Sequence, residues 1–214
     1  MRTFLNLKNA HDYKLPEHLQ KDDVRFSSAL VRHFLEPFTA EGDIIFDPFA
    51  GFGTTLFVAQ EMNRVPYGIE YDAERCGFIR QRIADDHIIH GDALKLAEYD
   101  LPEIDFSITS PPYMHAQDKI NPLAAHKSDG DYETYLDNLQ TIYAELAKKL
   151  RAGARAIIEA SNLKHESGVT PLAWHVAERV SEVLRFEDEV IACWDAYGYG
   201  YDHSYCLVFS KTTL

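Results

Sequence analysis

Cysteine is scarce in this sequence: Cys76, Cys193 and Cys206 are the three in 214 residues, and no two form a Cys-x-x-Cys pair. So few, oddly numbered and scattered, they argue against a disulfide framework or a cysteine zinc site, and buried free thiols are expected. Histidine is more plentiful, at ten residues, but no His-Glu-x-x-His pair occurs. His87 and His90, beside a predicted strand, are given structural or solvated roles, and no metal site is expected. No apolar run approaches the ~20 residues that span a bilayer. The opening segment Met1–Lys8 has no long apolar stretch followed by a cleavage site. The expectation is therefore a cytoplasmic protein without a membrane partner. Positive charge is in short supply: 21 Lys and Arg against 34 Asp and Glu leave a net charge of −13. Proteins that hold a phosphate backbone usually present a basic patch, so this balance argues against tight, independent duplex binding, while leaving room for a local patch.

What the chain does have is apolar residues, at 46%, in short runs that alternate with helical patterns. That reads as one packed α/β domain, residues 1–214, burying roughly 70% of its unfolded surface. Residues 1–25 form a polar N-terminal extension broken by Pro16. Ser27 or Ser28 can cap a helix that stops before Pro37. Strands are predicted at 44–46, 65–70, 87–90, 105–109 and 154–160, with helices at 54–62, 73–83 and 170–184. The clearest helix is 132–150, where Tyr135, Leu136, Leu139, Ile142, Tyr143, Leu146 and Leu150 fall on one stripe. The segments 189–195 and 205–210 read as a terminal hairpin joined through Tyr197-Gly198-Tyr199-Gly200-Tyr201.

Two motifs about sixty residues apart carry the chemistry. Asp47-Pro48-Phe49-Ala50-Gly51-Phe52-Gly53-Thr54 follows a strand and opens a helix, the arrangement of a nucleotide site in which glycines let the backbone approach a ligand. Gly51-x-Gly53 lacks the third glycine of the dinucleotide fingerprint, so a nicotinamide cofactor is disfavoured. Glu70, with Tyr71 beside it, ends the next strand seventeen positions after Gly53, where an acid accepts from ribose hydroxyls. Asp92, beside Ala93, follows the third strand and is placed to accept from an adenine amino group. The bland alternatives are a tight turn, a surface carboxylate and a helix cap.

Ser110-Pro111-Pro112-Tyr113 follows the fourth strand, and two prolines there must end it. The amino nitrogen of cytosine or adenine is a poor nucleophile, because its lone pair is delocalised into the ring. Two acceptors that grip its hydrogens, such as the Ser110 hydroxyl and the Pro111 carbonyl, pull it toward tetrahedral geometry. Tyr113 offers a face on which the base can stack. A base held so must leave a duplex or come from a single strand. The bland reading is a rigid turn or a polyproline ligand.

The chain resembles the amino-group DNA methyltransferases, which modify cytosine-N4 or adenine-N6. The carrying residues are Asp47 through Thr55, Glu70, Asp92 and Ser110 through Tyr113, in that order. The resemblance implies a Rossmann-like, mostly parallel seven-stranded sheet with one antiparallel strand in a C-terminal hairpin, and S-adenosylmethionine as cofactor. It also implies that Phe26 and Ser27, in the segment 26–31, line the methionine end. Thr109-Ser110-Pro111-Pro112-Tyr113 is the form more typical of cytosine-N4 enzymes, so cytosine is favoured over adenine. The chain departs from the family in having no evident target recognition region. Only residues 1–25 and the loop 114–131, with Lys119, His126 and Lys127 offset by Asp118, Asp129 and Asp131, remain for target contacts. DNA is the favoured partner. An RNA target, a target-recognition subunit, a homodimer, and a methyltransferase-like subunit without activity of its own are the alternatives.

Overall fold

The computed structural model describes residues 2–212 except Val24, 124–129, Ser167 and 196–199. His126, Lys127, Asp129, Tyr197, Gly198 and Tyr199 therefore lie outside the described residues. Among the described residues, ten strands and five α-helices follow in chain order: β1 (Phe4–Leu7), α1 (Ser28–Phe38), β2 (Ile44–Asp47), α2 (Thr54–Glu61), β3 (Val65–Glu70), α3 (Ala73–Ile79), β4 (Ile88–His90), β5 (Ile104–Thr109), α4 (Tyr132–Lys149), β6 (Leu150–Ala160), β7 (Leu163–His165), β8 (Gly168–Thr170), α5 (Leu172–Ser181), β9 (Arg185–Trp194) and β10 (His203–Ser210).

Eight strands form one sheet in the order β1-β9-β10-β6-β5-β2-β3-β4, and β10 alone runs against its neighbours. Seven of these are the strands expected. The eighth, β1, adds to the edge in parallel with β9, Leu5 opposite Ala192. It went unread because only Leu5 of its four residues is buried, too short a pattern to register as a strand. β7 and β8 form a separate small hairpin, in a stretch the periodicity left unassigned.

Strand alternation divides the core. Ile45, Phe106, Ile108, Ile157 and Val208 point toward α1 and α2, while Phe46, Ile158, Leu207 and Phe209 pack on the side of α4 and α5. The α4 stripe is buried from Tyr135 to Leu146 as its spacing requires. Helix α1 differs from expectation by running through Pro37 to Phe38. Proline there removes one donor in the last turn. The chain closes the turn with both the Thr39 amide, at 3.0 Å, and the Thr39 hydroxyl, at 2.6 Å, on the Leu35 carbonyl. Among the described residues no helix is long and apolar enough to cross a membrane, and no His, Cys, Asp or Glu cluster could hold a metal.

Candidate active site

The site grows from the point where the sheet changes direction. β2 lies between β3 and β5, so the loops leaving β2 and β5 diverge and open a crevice at the carboxyl ends of the strands. A cavity of about 680 Å³ fills it.

The glycine turn forms its floor. Gly51 (φ +55°) and Gly53 (φ +83°) both occupy left-handed backbone conformations. A Cβ on Gly51 would meet nothing nearer than the Phe49 carbonyl at 3.9 Å, so bare backbone faces the cavity. Gly53 is held differently: a Cβ there would press on Ile79 and Phe57 at 3.0–3.1 Å. Gly53 packs behind the turn and starts α2.

Glu70 braces the turn from β3. Its Oε2 accepts from the Gly51 amide at 2.7 Å and its Oε1 from the Asp72 amide at 2.8 Å. Burial pushes this carboxyl above its ordinary pKa. Both oxygens keep lone pairs for a ligand hydroxyl, since a carboxylate offers about four acceptor sites. Tyr71, 53% exposed, stands at the mouth. Asp92 spends Oδ1 on the Leu94 amide at 3.0 Å, capping the turn that follows, and lines the cavity together with Ala93. The cap and a ligand role are therefore compatible.

Asp47 is not on the wall. It is 1% exposed, and its Oδ1 accepts from the Phe49 amide at 2.9 Å and the Thr109 hydroxyl at 2.5 Å. Burial raises its carboxyl to about 6. Its consequence is geometric: Thr109 ends β5 immediately before Ser110, so one hydrogen bond ties the glycine turn to the proline corner. The Thr55 hydroxyl reinforces the tie on the Ile108 carbonyl at 3.2 Å.

Ser110, Pro111, Pro112 and Tyr113 all line the same cavity as Pro48, Phe49, Ala50, Gly51, Thr54, Glu70 and Asp92. The Pro112 carbonyl accepts from Tyr135 at 2.9 Å, which anchors the corner to α4. Of the N-terminal pair, Phe26 lines the cavity, whereas Ser27 is buried as the cap of α1, accepting from the Ala29 amide at 3.2 Å.

Three contributors were not read from the sequence. Residues 9–23 and Arg25 strap across the cavity: Tyr13 donates to the Phe52 carbonyl at 2.9 Å and shares a 3.2 Å bond with Thr54, while the Arg25 guanidinium stacks on Tyr13. At that end Asn9, His11 and Arg25 line the cavity, and the His11 Nδ1 is buried with no hydrogen-bond partner. Glu159, at the end of β6 and 2% exposed, accepts from the Ser110 hydroxyl at 2.6 Å and the Tyr113 hydroxyl at 2.7 Å. Beside the corner, on the same carboxyl edge, a ladder of rings runs from Trp174 to Tyr205, His203 and Tyr201, with centroids 4.7–5.3 Å apart, and ends on the Lys164 ammonium 4.2 Å from the Tyr201 ring. A lone carboxylate in an apolar strand and rings spread over three elements carry no local signature.

Residues 5–81 match the N6/N4 DNA methylase family. The match takes in the glycine turn and Glu70 and ends before the proline corner. The family resemblance read from the sequence is borne out there. Over 79 residues the chain is 34% identical to the orphan methyltransferase M.BamHII of Bacillus amyloliquefaciens, covering 37% of this chain and 29% of that relative. Among solved structures, TrmN from Thermus thermophilus aligns with a TM-score of 0.61 at 16% identity, covering 86% of this chain and 48% of that one. A TehB-like S-adenosylmethionine-dependent methyltransferase from Corynebacterium glutamicum aligns at 0.57 and 15% identity, covering 91% and 93%. One from Methanosarcina mazei aligns at 0.60 and 9% identity, covering 85% and 98%. The fold is that of the class I S-adenosylmethionine-dependent methyltransferases.

Proposed function

We propose that residues 1–214 act as a single methyltransferase domain that transfers a methyl group from S-adenosylmethionine to the exocyclic amino group of a nucleobase. DNA is the favoured substrate, and cytosine-N4 is favoured over adenine-N6. The observation that carries this reading is the shared cavity: the glycine turn and the Ser110–Tyr113 corner line one space and are joined by the Thr109–Asp47 bond.

The donor set suits the cofactor. Glu70 offers acceptors for ribose hydroxyls, Gly51 offers bare backbone, Asp92 offers an acceptor for adenine, and Arg25 with the unpartnered His11 Nδ1 offers donors for an α-carboxylate. When bound, the cofactor supplies an electrophilic sulfonium methyl. The chain's part is then positional. Ser110 and the Pro111 carbonyl accept the amino hydrogens, the two prolines limit the entropy lost in the clamp, and Tyr113 borders the base. Alignment of nucleophile and methyl supplies most of the acceleration.

The ring ladder supports an unpaired target strand, because bases stack on aromatic faces whatever their sequence. A net charge of −13 supports a target that is single-stranded, or read with the help of a partner subunit or second copy. RNA is the runner-up substrate on the same ladder. The test is incubation with S-adenosylmethionine and single- or double-stranded DNA or RNA, followed by nucleoside mass spectrometry. N4-methylcytosine in DNA is the expected product. Cofactor binding without methylation of any nucleic acid would overturn the reading.

A further inference from the structure

The ring ladder has an open ring at one end and a cation at the other. Trp174 of α5 is 44% exposed, although its ring rests on Tyr205 of β10 at 4.7 Å. Tryptophan is largely buried in most proteins, so one braced from one side and left this open has surface to offer. Along the row the ring planes meet at 55°, 86° and 71°, so no two lie flat on each other. A 3.1 Å hydrogen bond between His203 Nε2 and the Tyr205 hydroxyl locks the middle. At the far end Gly200 (φ +78°) leaves room that a Cβ would fill, 2.9 Å from Lys164 Cδ. The Lys164 stem therefore crosses the backbone there, and its ammonium sits over the Tyr201 ring. Among the described residues no carboxylate pairs with it. The row adjoins the proline corner. Two residues past Tyr113 the His115 ring meets His165 at 4.8 Å, and the Ala116 amide donates to Thr170 Oγ1 at 3.0 Å. The chain leaving the corner is thus pinned to the β7–β8 hairpin, which carries Lys164 and leads into α5 with Trp174.

We propose that this row is a binding site for the nucleotides that flank the target base in a single strand of DNA. One flanking base stacks on Trp174, and Lys164 takes a phosphate of the same strand. The proposal rests on the amino-methyltransferase reading. Rigid rings beside an unpaired cation suit a polymer in which flat bases alternate with phosphates. Successive centroids stand 4.7, 5.2 and 5.3 Å apart, room for at most about four stacked nucleotides at roughly 3.4 Å each. Asp202 and Glu166, exposed and close in sequence to the row, offset further attraction of phosphate. Stacking therefore carries most of the affinity, and the lysine contributes one contact. None of the five residues from Trp174 to Lys164 lines the cavity, so the row holds the strand without touching the cofactor or the reacting atoms.

Fluorescence anisotropy with an end-labelled single-stranded DNA of about twelve nucleotides, carrying one cytosine, tests the site. Trp174→Ala should weaken binding about tenfold, and Trp174→Phe, which keeps a stacking face, by about twofold or less. Lys164→Met should flatten the log–log salt slope by about 0.7, the share of one phosphate on a single strand. With cofactor, Trp174→Ala should raise KM for the strand about tenfold while kcat and S-adenosylmethionine affinity stay within about twofold, a split that loss of structure alone would not give. Strand binding within about twofold of wild type in Trp174→Ala, or an unchanged slope in Lys164→Met, would overturn the proposal and leave the functional reading standing. If Trp174→Ala does not fold, as judged by circular dichroism, the Lys164→Met slope decides alone. Wild-type protein that methylates no nucleic acid would overturn the functional reading and the proposal with it.

Discussion

At the scale of single residues, Asp47 carries a testable sign. The folded protein holds a proton on this buried carboxyl up to about pH 6, whereas an ordinary aspartate releases it near 3.8. The folded-state value is raised, so its stabilising contribution is full below pH 3.8 and is lost as the pH rises through about 6. The size is about 3 kcal/mol. Asp47→Asn keeps an acceptor for Thr109 and Phe49 but cannot titrate. Urea unfolding between pH 4 and 7 should show the wild type losing roughly 2 kcal/mol relative to the variant. Parallel curves would exclude the buried proton. The same residue marks a limit of sequence reading. Its place in the motif was evident, but its job, holding Thr109 rather than lining the cavity, follows from a contact with a residue 62 positions away.

At the scale of elements, the strap before α1 is pinned to the glycine turn by one side chain. Tyr13 meets the glycine turn twice, on the Phe52 carbonyl and the Thr54 hydroxyl. Tyr13→Phe removes both bonds and keeps the ring beneath Arg25. Loss of about 1 kcal/mol in stability is expected. Calorimetry should also show S-adenosylmethionine affinity weakened roughly fivefold, the same energy in binding terms. Elements with long, regular patterns were legible. The stripe of α4, and the strand–turn–helix around Gly51, are local signals. β1, the β7–β8 hairpin and the passage of α1 through Pro37 were not: β1 depends on its distant partner β9, the hairpin strands are three residues each, and the helix end relies on two hydrogen bonds from Thr39 to the Leu35 carbonyl. Glu159 belongs with these. Read alone, it is a charge in an apolar strand; beside Ser110 and Tyr113, it is part of a site.

At the scale of the whole molecule, charge would decide how the proposed polynucleotide substrate approaches. Lys119 and Lys164 are exposed lysines of the loop and hairpin around the proline corner, against a net charge of −13. Two neutralised phosphates give a log–log salt slope of about −1.4 for a single strand. Fluorescence anisotropy should therefore show shallow salt dependence and a preference for single-stranded over duplex oligonucleotides. A slope steeper than about −4 would reveal a phosphate-binding surface of a different order. The fold class was legible from the alternation of strands and helices, and so was the order of the two motifs. Their closeness was not, since nothing in a linear chain states which loops meet. The Thr109–Asp47 bond that joins them has a mechanical consequence. Both jaws of the crevice are bolted through the central strands, so their separation is a fixed gauge. Any widening needed to admit a ligand therefore falls to segments outside that bond, such as the N-terminal strap that Tyr13 ties to the glycine turn.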